Sequence, residues 1–207
     1  MWELIGTGGW VMAPIILCSI LAIAIIIERA WILRSRRVAP ADLVPEVWRL
    51  VATDALGPVN LRRLRAGSPL GRVIAAGVSH ANGPRSAMLE RIEEVGRVEA
   101  MQLERHLNTL GTIAAVTPLL GLLGTVIGMI DVFSAIDAQG LGDNRALAGG
   151  IGEALITTGA GLSVAIPSVA AHRYLRGRAN RLVVAIEREA LKLADVLTRH
   201  TTAMGPA

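Results

Sequence analysis

A carboxylate and two threonines stand inside an apolar run: Glu153, Thr157 and Thr158, within the stretch from Gly150 to Pro167. A carboxyl group takes up and releases a proton, and a hydroxyl both donates and accepts a hydrogen bond. In a segment apolar enough to lie in lipid, an ionisable side chain is costly and marks by default an ion or proton path. A second apolar run, Thr117 to Gly128, offers a matching small and hydroxylated surface: Thr125 lies among Gly121, Gly124 and Gly128. The chemistry expected is proton relay along a helix bundle, with Thr125, Glu153, Thr157 and Thr158 as the candidate pathway.

These residues need helices that cross a bilayer, and three stretches are long enough. Leu4 to Ile27 and Leu107 to Ile130 each run 24 residues without a charge; Ala154 to Ala171 gives 18 and extends outward through Glu153. A span takes about 20 residues at about 1.5 Å each. Thr125 lies six residues inward of Asp131, and Thr158 five inward of Glu153. The two hydroxyls are thus expected at similar depth, about 7–9 Å inside their acids. Around the helix, at about 100° per residue, Glu153 and Thr157 share a face and Thr158 lies about 140° away. Gly121, Gly124, Gly128 and Gly161 are expected as close-packing positions that leave room for a central helix, and Pro118 and Pro167 as kinks.

Composition agrees with a membrane chain. Apolar residues make up 52%, aromatics only 3%, with one Phe and one Tyr where a soluble core would use more. Mean hydropathy is +0.50. Cys18 lies in an apolar run and has no partner for a disulfide within one chain. The formal charge of +4 is explained by topology and needs no nucleic acid. Residues 34–111 hold 12 Arg, the tail from His172 holds six Arg and the one Lys, and the 137–150 connection holds only Arg145. The positive-inside rule then places the N-terminus and the 137–150 loop outside, and the other two sections in the cytoplasm. The first span has its charges after the apolar core and Glu28, Arg29, Ala30 and Trp31 where a cleavage site would lie, so it reads as an uncleaved anchor.

The expected fold is an all-α membrane protein: three transmembrane helices and two long helices extending into the cytoplasm. The sections are 1–33 with the first span, cytoplasmic 34–111, the second span 112–136, the loop 137–150, the third span 151–171 and the cytoplasmic tail 172–207. Within the cytoplasmic section, short helices are expected over Ala41–Thr53, Leu61–Ala66 and Leu70–Ala81. They are separated at Gly57-Pro58 and Gly67 to Pro69 and closed by Asn82, Gly83 and Pro84. Met88 to Leu107 has apolar residues at three- and four-residue steps, an amphipathic pattern expected to run unbroken into the second span. Tyr174 to Leu197 continues the third span, with Leu182, Ile186, Leu193 and Leu197 on one side.

Pro118, Gly121, Gly124, Thr125 and Gly128 in the second span resemble the MotA/TolQ/ExbB proton channel family. So do Glu153, Thr157, Thr158, Gly161 and Pro167 in the third, and Gly8, Gly9, Trp10, Pro14, Glu28, Arg29 and Trp31 around the first. Three spans rather than four point to its TolQ/ExbB branch. The resemblance implies an inner-membrane subunit, multi-pass, with a periplasmic N-terminus and cytoplasmic C-terminus. It implies a homopentameric ring around an ExbD- or TolR-like single-span partner, which couples proton flow to a TonB- or TolA-like protein that works on the outer membrane. It carries the polar pore positions to Thr125, Glu153 and Thr158, whereas helix geometry pairs Thr157 with Glu153; both threonines stay candidates at this point. Gly159 stands where many relatives have alanine.

Other chemistries lack their residues. His80, His106, His172 and His200 have no metal-ligand spacing, Gly121 to Thr125 lacks the lysine of a phosphate loop, and no nucleophile elbow occurs. Neither an enzyme nor a cofactor is expected. The competing reading is a passive scaffold that holds a single-span partner without conducting. In that reading Glu153 reaches outer water, the threonines bond their own carbonyls and the glycines only pack.

Overall fold

The computed structural model describes residues 9–53, 57–81, 83–139 and 144–204. Residues 4–8 of the first apolar run, Asn82 and the 140–143 part of the expected loop lie outside them. Among the described residues the chain is helical: α1 Met12–Ile32, α2 Ser35–Val38, α3 Leu43–Ala52, α4 Pro58–Gly67, α5 Pro69–Val78, α6 Arg85–Glu104, α7 Leu107–Gln139 and α8 Asn144–Met204. Three stretches are long and apolar enough to cross a membrane: Met12–Ile32, the apolar part of Arg85–Asp137, and that of Leu147–Thr198. Only 17, 33 and 28% of their most apolar windows are buried within the chain, so lipid or further polypeptide must cover the rest.

Two compact units divide the chain: Met1–Glu28 with His106–Tyr174, and Arg29–Arg105 with Leu175–Ala207. The first holds the three spans. Val11, Met12 and Ile15 of its opening turns pack with Ile16, Leu120, Ile127, Ala160 and Val164. The seam between α7 and α8 is made of small residues. A Cβ on Gly128 would meet Gly150 O at 2.9 Å and Ala154 Cβ at 3.1 Å; one on Gly161 would meet Thr117 O at 2.8 Å and Gly121 Cα at 3.1 Å. Lipid removes the hydrophobic drive between helices, so such backbone contact is what holds them.

The second unit packs by amphipathicity. Leu175, Ala179, Leu182, Ile186, Ala190, Leu193 and Leu197 form a buried stripe on α8 at three- and four-residue steps. The prolines at Gly57-Pro58 and Ser68-Pro69 begin helices rather than merely breaking the chain. Each sits at the first helical position, where no amide is needed, and Ser68 Oγ accepts from Gly71 N at 3.1 Å. Arginines near the first span serve helix ends. Arg178 Nε donates to Leu33 O at 2.6 Å, just past the last residue of α1, and buried Arg29 donates to Gln102 O at 3.1 Å in the last turn of α6.

One expectation is corrected here. The amphipathic helix does not run unbroken into the second span: α6 ends at Glu104, Arg105 is extended, and His106 is left-handed at φ 61°. His106 O then accepts from Leu110 N at 3.0 Å, which starts α7 afresh. At the other end, α7 continues to Gln139 and α8 begins at Asn144, so helix takes up much of the segment read as a 137–150 loop.

Glu99 lies in the buried stripe of α6 with Met88, Ile92 and Leu103, 3% exposed. Arg72 of α5 meets it with two bonds, Nε to Oε1 at 2.5 Å and Nη2 to Oε2 at 2.7 Å. The carboxylate holds the Arg72 pKa above its ordinary value, against the burial that lowers it. The guanidinium therefore stays charged at any working pH. Arg72→Met, which strands the Glu99 carboxylate, is expected to destabilise the chain by about 3 kcal/mol, with most of the loss recovered in Arg72→Met/Glu99→Leu. Thermal unfolding in detergent checks this; an unchanged midpoint for the single variant contradicts it.

Candidate functional site

The acid comes first. Glu153 is half-buried near the start of α8, and its carboxylate lies against Gly9. Gly9 adopts φ 61°, and any Cβ there would collide with Glu153 Oε1. The left-handed backbone favours glycine here, while the atom a Cβ would meet is the movable end of the Glu153 side chain. Gly9 O accepts from Met12 N at 3.2 Å in the turn that opens α1. The carboxylate thus sits by the N-terminal end of a helix, where partial positive charge favours an anion. Seven and eleven residues on, Ala160 and Val164 pack against the same opening turns of α1, so Glu153 heads the α1-facing row of α8.

The neighbouring row faces α7. Thr157 is 1% exposed, donates to Ala154 O at 2.9 Å, and fills the place of a Gly124 side chain, with its Cβ 2.6 Å from where that side chain would begin. It locks the seam and shows no surface to a lumen outside the chain. Thr158, on the far flank, stays partly exposed and donates across the seam to Gly121 O at 3.0 Å. Gly121 precedes Thr125 by one turn. Thr125 is also partly exposed and donates to Leu122 O at 2.6 Å within its own helix.

The structure therefore groups Thr157 with Gly124, Thr158 with Gly121, and Glu153 with Gly9. Glu153 and Thr158 fall on opposite flanks of the α7-facing row, as the 140° separation requires. Gly121, Gly124, Gly128 and Gly161 seat the chain's own helices against one another, so the room they leave is taken within the chain. Beside Pro118, Thr117 is fully buried and donates to Ile113 O at 2.6 Å; beside Pro167, Ser168 donates to Val164 O at 2.7 Å. Both hydroxyls occupy carbonyls in turns where a proline amide is missing.

A second set of titratable groups appears at the other end of this unit, where sequence spacing had shown only scattered histidines. His106 Nδ1 lies 3.0 Å from Glu28 Oε2 across 78 residues of sequence. The His172 ring packs on Gly111, its Cε1 3.0 Å from where a Cβ would lie. Of the adjacent pair Glu28 and Arg29, the first has His106 among its partners and the second Gln102. The periodicity of α1 and α7 carries no trace of this pairing, since it depends on the left-handed turn at His106. Among the described residues no cluster of three or more His, Cys, Asp or Glu could hold a metal ion.

Comparison with known proteins bears on the whole arrangement. The family model described as MotA/TolQ/ExbB proton channel family matches residues 65–188, a range that takes in Thr125, Glu153, Thr157 and Thr158. The chain is 31% identical over 190 residues to the biopolymer transport protein exbB1 of Vibrio cholerae, covering 88% of this chain and 81% of that one. It is 32% identical over 167 residues to an ExbB-like biopolymer transport protein of Synechocystis sp., covering 78% of each. To the Tol-Pal system protein TolQ of Haemophilus influenzae it is 39% identical over 111 residues, 53% of this chain and 47% of the relative.

Proposed function

The chain belongs to the MotA/TolQ/ExbB proton channel family, and from that premise we propose that it is the channel subunit of an inner-membrane complex coupling proton flow to mechanical work. Copies of it surround an ExbD- or TolR-like single-span protein and drive a TonB- or TolA-like protein. Its termini lie as the arginine distribution predicts, N-terminus periplasmic and C-terminus cytoplasmic. TonB-type uptake is the load we assign, supported by the match to exbB1 of Vibrio cholerae over 88% of the chain; the TolQ relative and the ExbB of Xanthomonas campestris each match about half.

The observation that carries this reading is the housing of Glu153. A carboxylate half-buried in a three-span unit, lying against Gly9 at the opening of α1, is an ionisable group where one is expensive. Thr125 and Thr158, partly exposed on adjoining helices, are the hydroxyl positions we assign beyond it. Thr157 holds the helix seam on which Thr158 rides. Because Glu153 and Thr158 flank the row from opposite sides, a continuous relay takes its remaining groups from another polypeptide. One charge crossing 100 mV releases about 2.3 kcal/mol, so several protons per stroke supply useful work.

Liposomes holding this chain and its single-span partner, loaded with a pH-sensitive dye, test the proposal. Proton entry is expected with the partner present and is lost when the membrane aspartate that ExbD- and TolR-like partners are expected to carry becomes asparagine. Equal, background flux in both would favour the passive scaffold.

A further inference from the structure

Just past the end of α1 the chain carries Arg34, Arg36 and Arg37 within four residues. Two of them, exposed in the chain by itself, border one open recess. Arg36 and Arg37 line a cavity of about 500 Å³ together with Arg72, and Ile32, Val38 and Leu103 supply apolar wall. The Arg37 guanidinium is further fixed over the Trp31 ring, 3.9 Å from its centroid. Arg72 is occupied by Glu99, but among the described residues no carboxylate pairs with Arg36 or Arg37. The cavity thus presents two forked cations beside an apolar surface, with a half-exposed tryptophan at its edge.

Its place in the chain limits what can fill it. Ile32 is the last residue of the spanning helix α1, and Trp and Arg at such a boundary sit at headgroup level. A guanidinium binds a phosphate through two parallel bonds. A phosphodiester with acyl chains would satisfy both walls, whereas free phosphate would leave the apolar wall wet. The geometry points to a binding site for the phosphate of an anionic phospholipid, drawn from the leaflet in which α1 ends and held by Arg36 and Arg37. This site lies apart from the candidate proton pathway and does not depend on it.

The test uses the full chain purified in a neutral detergent, with binding of dioctanoyl phosphatidylglycerol followed by thermophoresis. Dioctanoyl phosphatidylcholine and inorganic phosphate serve as matched competitors. Arg36→Gln/Arg37→Gln is expected to weaken phosphatidylglycerol binding by about tenfold or more, given the attraction each arginine contributes near an anionic surface. Arg34→Gln, which does not line the cavity, leaves binding within about twofold. Equal losses in the two variants would reduce the effect to general surface charge and overturn the site. Displacement by inorganic phosphate as strong as by the lipid would overturn the lipid assignment. Arg36→Lys/Arg37→Lys keeps the charge and removes the forks, so it serves if the glutamine variant fails to accumulate. Loss of at least about threefold then supports a bidentate site, and no loss overturns it.

Discussion

Glu153→Gln is expected to reach the membrane at the level of the unaltered chain, assemble with its partner, and lose proton-coupled work by roughly a hundredfold, the scale on which a positioned proton-transfer group acts. The substitution keeps the shape that fills the space over Gly9 and removes only the group that titrates. Thermal stability is therefore expected to change by less than about 1 kcal/mol, the scale of the helix-end attraction for a charge that the amide gives up. Glu153→Ala should behave alike in transport. Thr158→Val is expected to fail in transport as well, at a stability cost of about 1 kcal/mol for the lost bond to Gly121 O. Thr158→Ser, which restores the hydroxyl, should recover function. Uptake of a siderophore by a strain that carries each variant reads the effect, with membrane abundance measured alongside. Full uptake by both Glu153 variants would leave the acid as a solvated helix end.

The second large effect is structural and concerns two glycines one half-turn apart. Gly161→Val is expected to destabilise the chain by about 3 kcal/mol and to lower its accumulation several-fold, the scale of overpacking where nothing can yield. The atoms a side chain would meet there are Thr117 O, Gly121 Cα and Gly121 N, all backbone. Gly159→Ala meets nothing within 4 Å and is expected to stabilise by about 0.5–1 kcal/mol through helix propensity and reduced freedom of the unfolded chain. Loss of helical circular dichroism on heating in detergent separates the two. Indistinguishable midpoints would show that α7 and α8 do not meet as closely as described.

Much of this architecture could be read from residue order. Charge-free runs located the spans, and α8 buries the very residues, Leu182, Ile186, Leu193 and Leu197, that the periodicity put on one side. What could not be read depended on contacts distant in sequence. The break at His106 has no glycine or proline to announce it; a non-glycine residue takes the left-handed conformation while its ring meets Glu28. Glu99 looked like any surface charge of an amphipathic helix, and its burial follows from Arg72, 27 residues earlier. The candidate site was legible in its residue types but not in its grouping. Helical angles paired Glu153 with Thr157, yet Gly124 leaves a recess that draws Thr157 inward, and Gly9 draws the acid toward α1. A glycine on another helix thus buries Thr157 and leaves Thr158 partly exposed.

The α7–α8 seam has a mechanical corollary. Its surfaces meet backbone to backbone at Gly121, Gly128 and Gly161, with Val132, Thr157, Thr158 and His172 reaching across, so the pair resists slipping by a notch. A push delivered to either helix is passed to its mate as if to a plank. Any stroke must therefore be taken up at joints between plank and neighbour, which is where compliance should be sought.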